Sequence, residues 1–430
     1  MGKLALTGGT PVVTEPLGSQ WPVYDERDER ALSDVLQSRA WTRSKFDGEE
    51  SWAWRFEDAF AAFQDARHGV AVATGSIGME LALKAVGVEP GDEVIIPAAT
   101  WITVATAVIA VGAAPVFVDI DPGTYNIDAG KVEAAVTSKT RAVMCVHNGG
   151  MPADMDALRA LADRHGIALV GDCAHAHGSQ WRGRGVGAIE DAGAFSFQGS
   201  KVVALGEGGM VLTDSDELQE RLYGLHHVNG ANGRPKPARS LPGTNLRMTE
   251  WIGALGLVAL ERLPEQVAAR QANARYLRQG LAEIPGVDGI AWDPRVTRWS
   301  FYIWHWRFLP AGFGEVGRDT FLAALKAEGV PTSTGQTAPL YKNAALTEMD
   351  CGRSNYPFNA YVYGREMDYA GFQCPETERI CATEALAFSH TLFLGPRQHM
   401  DLILDAVRKI RENVAELHAW ERAHANDAST

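Results

Sequence analysis

The sequence predicts an α/β fold in which a mostly parallel β-sheet lies between two layers of helices. The first observation behind this prediction is that seven short β-rich runs occur between residues 69 and 213, with helical windows between most of them. Strands that alternate with helices indicate βαβ units, whose sheet is covered on both faces. The second observation is that the alternation stops after a long helical window, which indicates a smaller second domain of α+β type.

The predicted elements of the first half follow the order of the chain. The β-rich runs are Gly69–Ala73, Glu93–Ile96, Pro115–Val118, Ala142–Val146, Ala168–Val170, Gly193–Phe197 and Gly209–Thr213. The helical windows are 78–87, 102–112, 128–137, 154–165 and 215–224. Because ligands of such sheets bind at the carboxyl ends of the strands, the residues that follow each run are the candidates for a functional site.

The second half begins with a long helical window at 248–282. It is followed by Trp-rich strands near 299–308, a helix at 317–329, a loop-rich stretch at 331–379 and a terminal helix at 396–423. The chain has 430 residues, more than one hydrophobic core usually serves. We therefore predict two domains: residues 1–265 form an N-terminal arm and a large domain, and residues 266–430 form the small one.

Composition narrows the class of protein. The net charge of −13 argues against a nucleic-acid partner, because a protein of this charge repels phosphates. Five cysteines without a CxxC pair indicate a reduced, cytoplasmic setting, and the first residues predict no signal peptide. The uncharged window 94–118 is long enough for a membrane span. Pro97 and Pro115 bracket it, however, and we predict strand, helix and strand instead.

Small residues follow the first β-rich run. The segment Thr74-Gly75-Ser76 leads into a helix, with Ser76 as the expected N-cap. Free backbone N–H groups at such a helix start form a ready anion site, although a plain N-cap would look the same.

An acid and two imidazoles follow the fifth run. Asp172 ends the strand, and His175 and His177 come shortly after it. A carboxylate at this place needs a cationic partner, since an unpaired buried charge is costly. We expect His177 to be structural. The HxH pair would suit a metal, but no further ligand cluster stands at convincing spacing.

Lys201 lies one strand further on, in the stretch SFQGSKVVALG, which contains no other charge. A lysine in a poorly solvated pocket has a depressed pKa and becomes an amine nucleophile. A Schiff-base lysine, an aspartate one strand earlier and a phosphate cradle together describe a site for pyridoxal phosphate (PLP).

Ordered motifs along nearly the whole chain carry a resemblance. They are GGTPV, ATGSIGMELAL, GDEVIIPAATW, PVFVDIDPGTYNID, PADMDAL, GDCAHAHG, SFQGSK with GEGGMVLTD, and TNLRMTEWIGALGL. With these motifs the chain resembles the DegT/DnrJ/EryC1/StrS family of PLP-dependent sugar and cyclitol aminotransferases. The resemblance implies fold type I, in which a mostly parallel seven-stranded sheet between helices forms the large domain.

The resemblance also implies roles around the cofactor. Lys201 would form the Schiff base, Asp172 would pair with the pyridine nitrogen, and Trp101 would stack on the ring. His175 matches a position beside the ring.

Other matches concern the phosphate and the second subunit. Gly75 and Ser76 match the phosphate loop, and Ser196 matches a serine that also reaches the phosphate. Asn245 matches an asparagine that the neighbouring subunit gives to the phosphate, which implies a homodimer with shared active sites. Gln198, Arg247 and His390 are candidate substrate contacts.

The SFQGSK motif resembles one branch of the family more than others. Gln198 replaces a histidine of many sugar-nucleotide members, as in the branch that aminates scyllo-inosose and 2-deoxy-scyllo-inosose with glutamine, and in 3-amino-5-hydroxybenzoate synthase. The family's sugar dehydratases carry histidine at the position of Lys201, so the lysine favours transamination. The segment 147–151 departs from the usual pattern. We expect transfer of an amino group from L-glutamine or L-glutamate to a keto-cyclitol or keto-sugar in secondary metabolism.

Four alternatives remain open at this point. They are an aromatising enzyme like 3-amino-5-hydroxybenzoate synthase, a nucleotide-sugar aminotransferase, a metal hydrolase built on Asp172, His175 and His177, and a catalytically silent PLP-binding sensor. The acceptor depends on the loops 225–243 and 331–379, and the acidic composition favours an uncharged cyclitol.

Overall fold

A mixed sheet of seven strands forms the centre of the N-terminal half. The structure, a computed structural model, describes residues 2–43, 51–227, 241–350, 352, 358, 363–364 and 368–424. The strands are β1 (His68–Val72), β2 (Glu93–Pro97), β3 (Ala114–Val118), β4 (Thr140–Val146), β5 (Ala168–Asp172), β8 (Ala192–Ser196) and β9 (Gly209–Thr213), with the two-residue strands β6 (Gln180–Trp181) and β7 (Arg184–Gly185) between β5 and β8.

The order of the seven strands is β1-β9-β8-β5-β4-β2-β3, and β9 runs against the other six. All seven predicted runs are therefore confirmed as strands, and the sheet is mostly parallel as expected. The central strands are buried along their length, since helices cover both faces. The uncharged window 94–118 forms β2, a helix and β3, as predicted.

The helices that flank the sheet and lead to the second domain confirm the predicted windows. They are α1 (Glu26–Ser38), α2 (Trp52–Phe63), α3 (Gly75–Ala85), α4 (Thr103–Ala110), α5 (Ala129–Ala135), α6 (Met155–His165), α7 (Asp216–His226) and α8 (Glu250–Ala282). None of the described helices has both the length and the apolar character needed to cross a bilayer.

The C-terminal part contains an antiparallel sheet of β10 (Val287–Gly289), β12 (Ile303–Phe308) and β13 (Ala385–Ser389), and β11 (Val296–Arg298) pairs with β6. Its helices are α9 (Arg318–Ala327), α10 (Ala344–Thr347), α11 (Pro375–Arg379), α12 (Arg397–Glu412) and α13 (Val414–His424). The predicted single terminal helix 396–423 is wrong, because Asn413 interrupts it with a non-helical backbone. The domain boundary at residue 265 stays a prediction, since α8 runs through it.

The N-terminal arm packs on this C-terminal part. The buried Glu328 carboxylate accepts hydrogen bonds from the backbone N–H groups of Ala5 (2.9 Å) and Val12 (3.0 Å). The Lys409 ammonium lies 2.9 Å from the same carboxylate and donates to the Thr10 carbonyl (2.7 Å). Breaking a buried ion pair is costly, because it leaves an uncompensated charge. The bonds from the pair to the backbone of the arm therefore hold the arm in this position.

The C-terminal part also reaches the carboxyl edge of the large sheet. The backbone N–H of Tyr302 donates to the Gly149 carbonyl (3.2 Å). Segment 333–340 pairs through Ser333 with Ala387 and ends at Leu340, whose N–H donates to the Ala98 carbonyl after β2 (2.8 Å). Of the loop 331–379, residues 331–350, 352, 358, 363–364 and 368–379 are described, and of the loop 225–243, residues 228–240 lie outside the described residues.

A buried ion pair beneath β1 yields a prediction about stability. The Arg43 guanidinium and the Glu57 carboxylate are 2.6 Å apart and almost fully buried, and Tyr223 and the Ala71 N–H also donate to this carboxylate. Replacing Glu57→Gln leaves the buried cation without its bonded carboxylate, so we expect a loss of roughly 3–5 kcal/mol in the free energy of unfolding, measured by urea denaturation.

The exposed pair of Arg67 and Asp216 (2.8 Å) provides the matched control. We expect Asp216→Asn to leave the urea midpoint unchanged within error, because solvent screens exposed charges. Equal shifts in both variants would contradict the assigned importance of the buried pair.

Candidate active site

Lys201 lies in the turn that connects β8 to β9. Its backbone N–H donates to the Gln198 carbonyl (2.8 Å), and its Nζ lies 4.1 Å from the ring centroid of Tyr302. Burial lowers the pKa of the Lys201 ammonium to about 8, although the negative charge of Asp172 opposes this shift. A minor fraction of the amine is therefore neutral and nucleophilic near neutral pH, but this fraction is much larger than for a free lysine.

Asp172 is the last residue of β5, which pairs with β8 in parallel. Its carboxylate is buried and accepts one hydrogen bond from the Ala174 N–H (3.0 Å). Burial raises the pKa of Asp172, while this hydrogen bond and the charge of Lys201 act against the increase. Within the described part of the chain Asp172 forms no ion pair, so its environment favours a cationic N–H donor.

The start of α3 lies against the end of β8. A Cβ atom on Gly75 would lie 2.5 Å from the Cβ of Ser196, so only glycine permits this close approach. The N-cap is Thr74, whose hydroxyl accepts from the Ile77 N–H (3.2 Å), and not Ser76 as expected. Ser76 belongs to the first helical turn and is exposed. This places two serine hydroxyls beside a helix N-terminus, a suitable arrangement for a phosphate.

The two histidines after Asp172 have different surroundings. The His175 ring lies 4.8 Å from the Tyr302 ring, and its Nδ1 is buried without a partner among the described residues. Burial and the nearby Lys201 hold the pKa of His175 well below its usual value. His177 lies among phenylalanines, and its Nε2 is 2.8 Å from the Ser196 carbonyl. The Nε2 nitrogen of His177 is thus used inside the fold, which speaks against a shared metal site.

Cys145, His147 and Glu190 are the one cluster of the described residues whose ligand atoms lie close enough for a metal ion. The Ala153 N–H donates to His147 Nδ1 (3.1 Å), and His147 Nε2 lies 2.6 Å from the Glu190 carboxylate. Both ring nitrogens are therefore engaged within the protein. Burial also raises the pKa of the Cys145 thiol well above its usual value, which keeps it protonated. The cluster is a hydrogen-bonded support of the sheet.

Two predicted cofactor contacts lie at the same edge but are exposed in the single chain. Trp101 follows β2, and its side chain is 68% exposed. Asn245 is exposed as well, on a segment whose Leu246 carbonyl accepts from the Ala73 N–H (2.9 Å) after β1. Arg247 forms a β-bridge with Val72, and burial lowers the pKa of its half-buried guanidinium.

The other two predicted substrate contacts are Gln198, which belongs to the turn that carries Lys201, and His390, which lies beside that turn. The Gln198 side chain accepts hydrogen bonds from Ser200, through its backbone N–H (2.9 Å) and its hydroxyl (2.6 Å). His390 is buried, with Nε2 3.1 Å from the Ser200 carbonyl and Nδ1 3.0 Å from the Arg270 guanidinium. Both of its nitrogens are engaged, so the structure makes His390 a support of the turn and leaves it no free nitrogen for a substrate.

Tyr302 and Arg270 were not recognised in the sequence. Tyr302 belongs to a Trp-rich segment that resembles core sequence, and the centroid of its ring lies 4.1 Å from the Lys201 amine. Arg270 lies inside a long helix, where an arginine usually faces solvent, yet it is fully buried. The sequence offers one signal for Tyr302, a phenol directly before the Trp-rich strand β12.

These residues fit the cofactor that the sequence implies. Among the described residues His175 Nδ1 is a buried polar atom without a partner, Asp172 is a buried carboxylate suited to a pyridinium N–H, and the cradle of Gly75 and Ser196 suits a phosphate. The Lys201 amine, which interacts electrostatically with Asp172, is suited to condense with the cofactor's aldehyde. Trp101 exposes an aromatic face at the same edge, as a stacking partner requires.

Comparisons with known proteins identify the family of the chain. The model of the DegT/DnrJ/EryC1/StrS aminotransferase family matches residues 22–384. The L-glutamine:2-deoxy-scyllo-inosose aminotransferase of Streptoalloteichus tenebrarius is 38% identical over 97% of this chain and 99% of its own. The L-glutamine:scyllo-inosose aminotransferase of Streptomyces griseus is 36% identical over 96% of this chain and 99% of its own.

A solved structure shows the same fold. The crystal structure of 3-amino-5-hydroxybenzoic acid synthase superimposes with a TM-score of 0.80 at 30% identity, covering 92% of this chain and 99% of that one. The family match also decides against a metal hydrolase built on Asp172, His175 and His177. The chain belongs to the DegT/DnrJ/EryC1/StrS aminotransferase family, whose members have fold type I and depend on PLP.

Proposed function

We propose that this enzyme transfers an amino group from L-glutamine to a keto-cyclitol. The observation that carries the chemistry is the electrostatic pairing of Lys201, in the turn that follows β8, with the buried Asp172 at the end of the adjacent parallel strand β5. The choice of donor and acceptor is supported by relatives that are named as L-glutamine aminotransferases of scyllo-inosose and 2-deoxy-scyllo-inosose.

The chain's own residues supply binding, orientation and proton transfer. PLP, when bound, supplies an aldehyde that condenses with amines and a ring that withdraws electrons. Asp172 keeps the proton on the pyridine nitrogen, and the α3 N-terminus with Ser196 holds the phosphate. The Lys201 amine would be the base that takes the proton from the donor's α-carbon and the acid that later returns it.

We also propose a homodimer in which Asn245 completes the partner's site. The Asn245 side chain is exposed, and its described contact is a long hydrogen bond from the Arg247 N–H (3.4 Å). Large apolar side chains are exposed in and around α1, as expected for a face that another subunit covers: Tyr24 (73%), Leu36 (57%) and Trp41 (49%).

A cytoplasmic location is part of the same proposal. Its support is chemical: Cys145, Cys173, Cys374 and Cys381 are free thiols, as is usual for proteins of a reducing compartment.

The lowered pKa of Lys201 yields a prediction that needs no cofactor. In the apoenzyme, we expect acetylation of Lys201 by acetic anhydride to rise with pH around a midpoint near 8. In Asp172→Asn the midpoint should fall further, because the negative charge that favours the ammonium form is removed. Mass spectrometry of the labelled peptide measures both, with a small primary amine as internal standard. A midpoint at a pH of about 10.4, the pKa of a free lysine, would contradict the argument that burial lowers the pKa.

Substitution of the lysine tests the chemistry directly. We expect Lys201→Ala to lower turnover with L-glutamine and scyllo-inosose by about 10³-fold or more, because both the Schiff-base amine and the base are lost. The measurement is the absorbance change of the bound cofactor when each substrate is added separately. The control is Lys326→Ala on the exposed face of α9, which should react like wild type. Normal turnover of Lys201→Ala would refute the mechanism.

Mixing two inactive variants tests the shared site. Lys201→Ala and Asn245→Ala subunits, unfolded and refolded together, should recover about a quarter of the wild-type activity, because half of the randomly formed dimers are mixed and each holds one intact site. Refolding each variant alone is the control. If Asn245 serves its own subunit, the mixed dimers hold no additional intact site, and the mixture should show no gain over the two controls.

A further inference from the structure

A cavity of about 250 Å³ lies where the lysine turn meets the C-terminal sheet. Ten residues line it, and five of them carry a hydroxyl group: Ser200, Tyr302, Ser333, Ser389 and Thr391. The others are apolar or aromatic, apart from His390, whose pKa is lowered to about 3 by burial and by Arg270. The wall is therefore polar and hydrogen-bonding but carries no formal charge.

The hydroxyls of Tyr302 and Ser200 have a defined direction. The Ser200 hydroxyl donates to the Gln198 side-chain carbonyl (2.6 Å), which also accepts from the Ser200 N–H. The single hydroxyl hydrogen of Ser200 is thus committed, so the Tyr302 hydroxyl, 2.9 Å away, donates to Ser200. The phenol oxygen of Tyr302 keeps its lone pairs and acts toward the cavity as a hydrogen-bond acceptor.

Arg270 and His390 support the cavity wall that is formed by Ser200 and Tyr302. Arg270 donates to His390 Nδ1 (3.0 Å), which fixes the proton on Nε2, and Nε2 donates to the Ser200 carbonyl (3.1 Å). The His390 backbone N–H also donates to the Tyr302 carbonyl (3.1 Å). The turn that carries Lys201 and the ring that it touches are consequently fixed relative to each other.

Resting on the proposed function, we propose that this cavity receives the polyol ring of the keto acceptor and that Tyr302 is a specificity-determining residue. Its phenol oxygen accepts a hydrogen bond from a ring hydroxyl, while its ring face lies beside the Lys201 amine at 4.1 Å. The wall hydroxyls serve both donor and acceptor groups of a polyol.

Size and charge argue for a free ring. A volume of about 250 Å³ is below the roughly 300–1,000 Å³ of pockets for drug-sized ligands. A nucleotide diphosphate also needs cationic or backbone N–H partners, and none of the described side chains that line this cavity is cationic. The cavity thus fits a six-membered polyol ring without a nucleotide.

The test compares Tyr302→Phe with Tyr276→Phe. Tyr276 is a matched control, because its hydroxyl donates a hydrogen bond to the Asp401 carboxylate on α12. In Tyr302→Phe we expect the KM for scyllo-inosose to rise about tenfold, the upper range for one neutral hydrogen bond. Calorimetric binding of unreactive scyllo-inositol should weaken by a similar factor. The half-reaction with L-glutamine should lose clearly less than the half-reaction with scyllo-inosose, since L-glutamine has no hydroxyl group to donate to the phenol oxygen. Tyr276→Phe should match wild type in all three measurements.

Three results would overturn the assignment: unchanged scyllo-inositol binding in Tyr302→Phe, an equal loss in both half-reactions, or tighter binding of dTDP-glucose than of scyllo-inositol by wild type. Absence of a wild-type half-reaction with L-glutamine would refute the proposed donor alone. The binding measurement would then still decide the role of Tyr302, because it requires no turnover.

Discussion

The chemistry of the site depends on one lysine amine that is kept poorly solvated at the edge of the large sheet. Burial disfavours the ammonium form of Lys201 and the ionised form of Asp172, and each charge partly offsets the cost of the other. The balance leaves a reactive amine beside an acid that suits a cationic ring. Neither residue would have this character on a solvated loop, so the strand ends that hold them are the precondition of the chemistry.

The C-terminal part completes the site that the large sheet begins. Tyr302 covers the amine, His390 holds the carbonyl before it, and the segment 333–340 runs from one side of the cleft to the end of β2. The N-terminal arm strengthens this arrangement because the buried pair of Glu328 and Lys409 anchors it to the same C-terminal elements. The site is thus an interface within one chain, which is a common place for small-molecule binding.

Much of this was accessible from the sequence, for a physical reason. Buried parallel strands are continuous apolar runs, and residues at their carboxyl ends share one edge, so the seven strands and the pair of Lys201 and Asp172 followed from local patterns. Tyr302 and Arg270 did not, because their importance arises from contacts with residues about one hundred positions away. The N-cap at Thr74 and the helix break at Asn413 depend on the backbone angles of single residues. Hydrophobic periodicity carries no information about such angles.

The helix α8 connects two separate parts of the site. Near its first turn, Glu250 accepts hydrogen bonds from Ser51 and follows shortly after Asn245, and roughly 30 Å further along the axis Arg270 supports His390 behind the lysine turn. One continuous helix, which contains Pro264, therefore reaches from the segment proposed to contact a neighbouring subunit to the backing of the Lys201 turn. The region proposed for subunit contact and the support of the Lys201 amine thus belong to the same element.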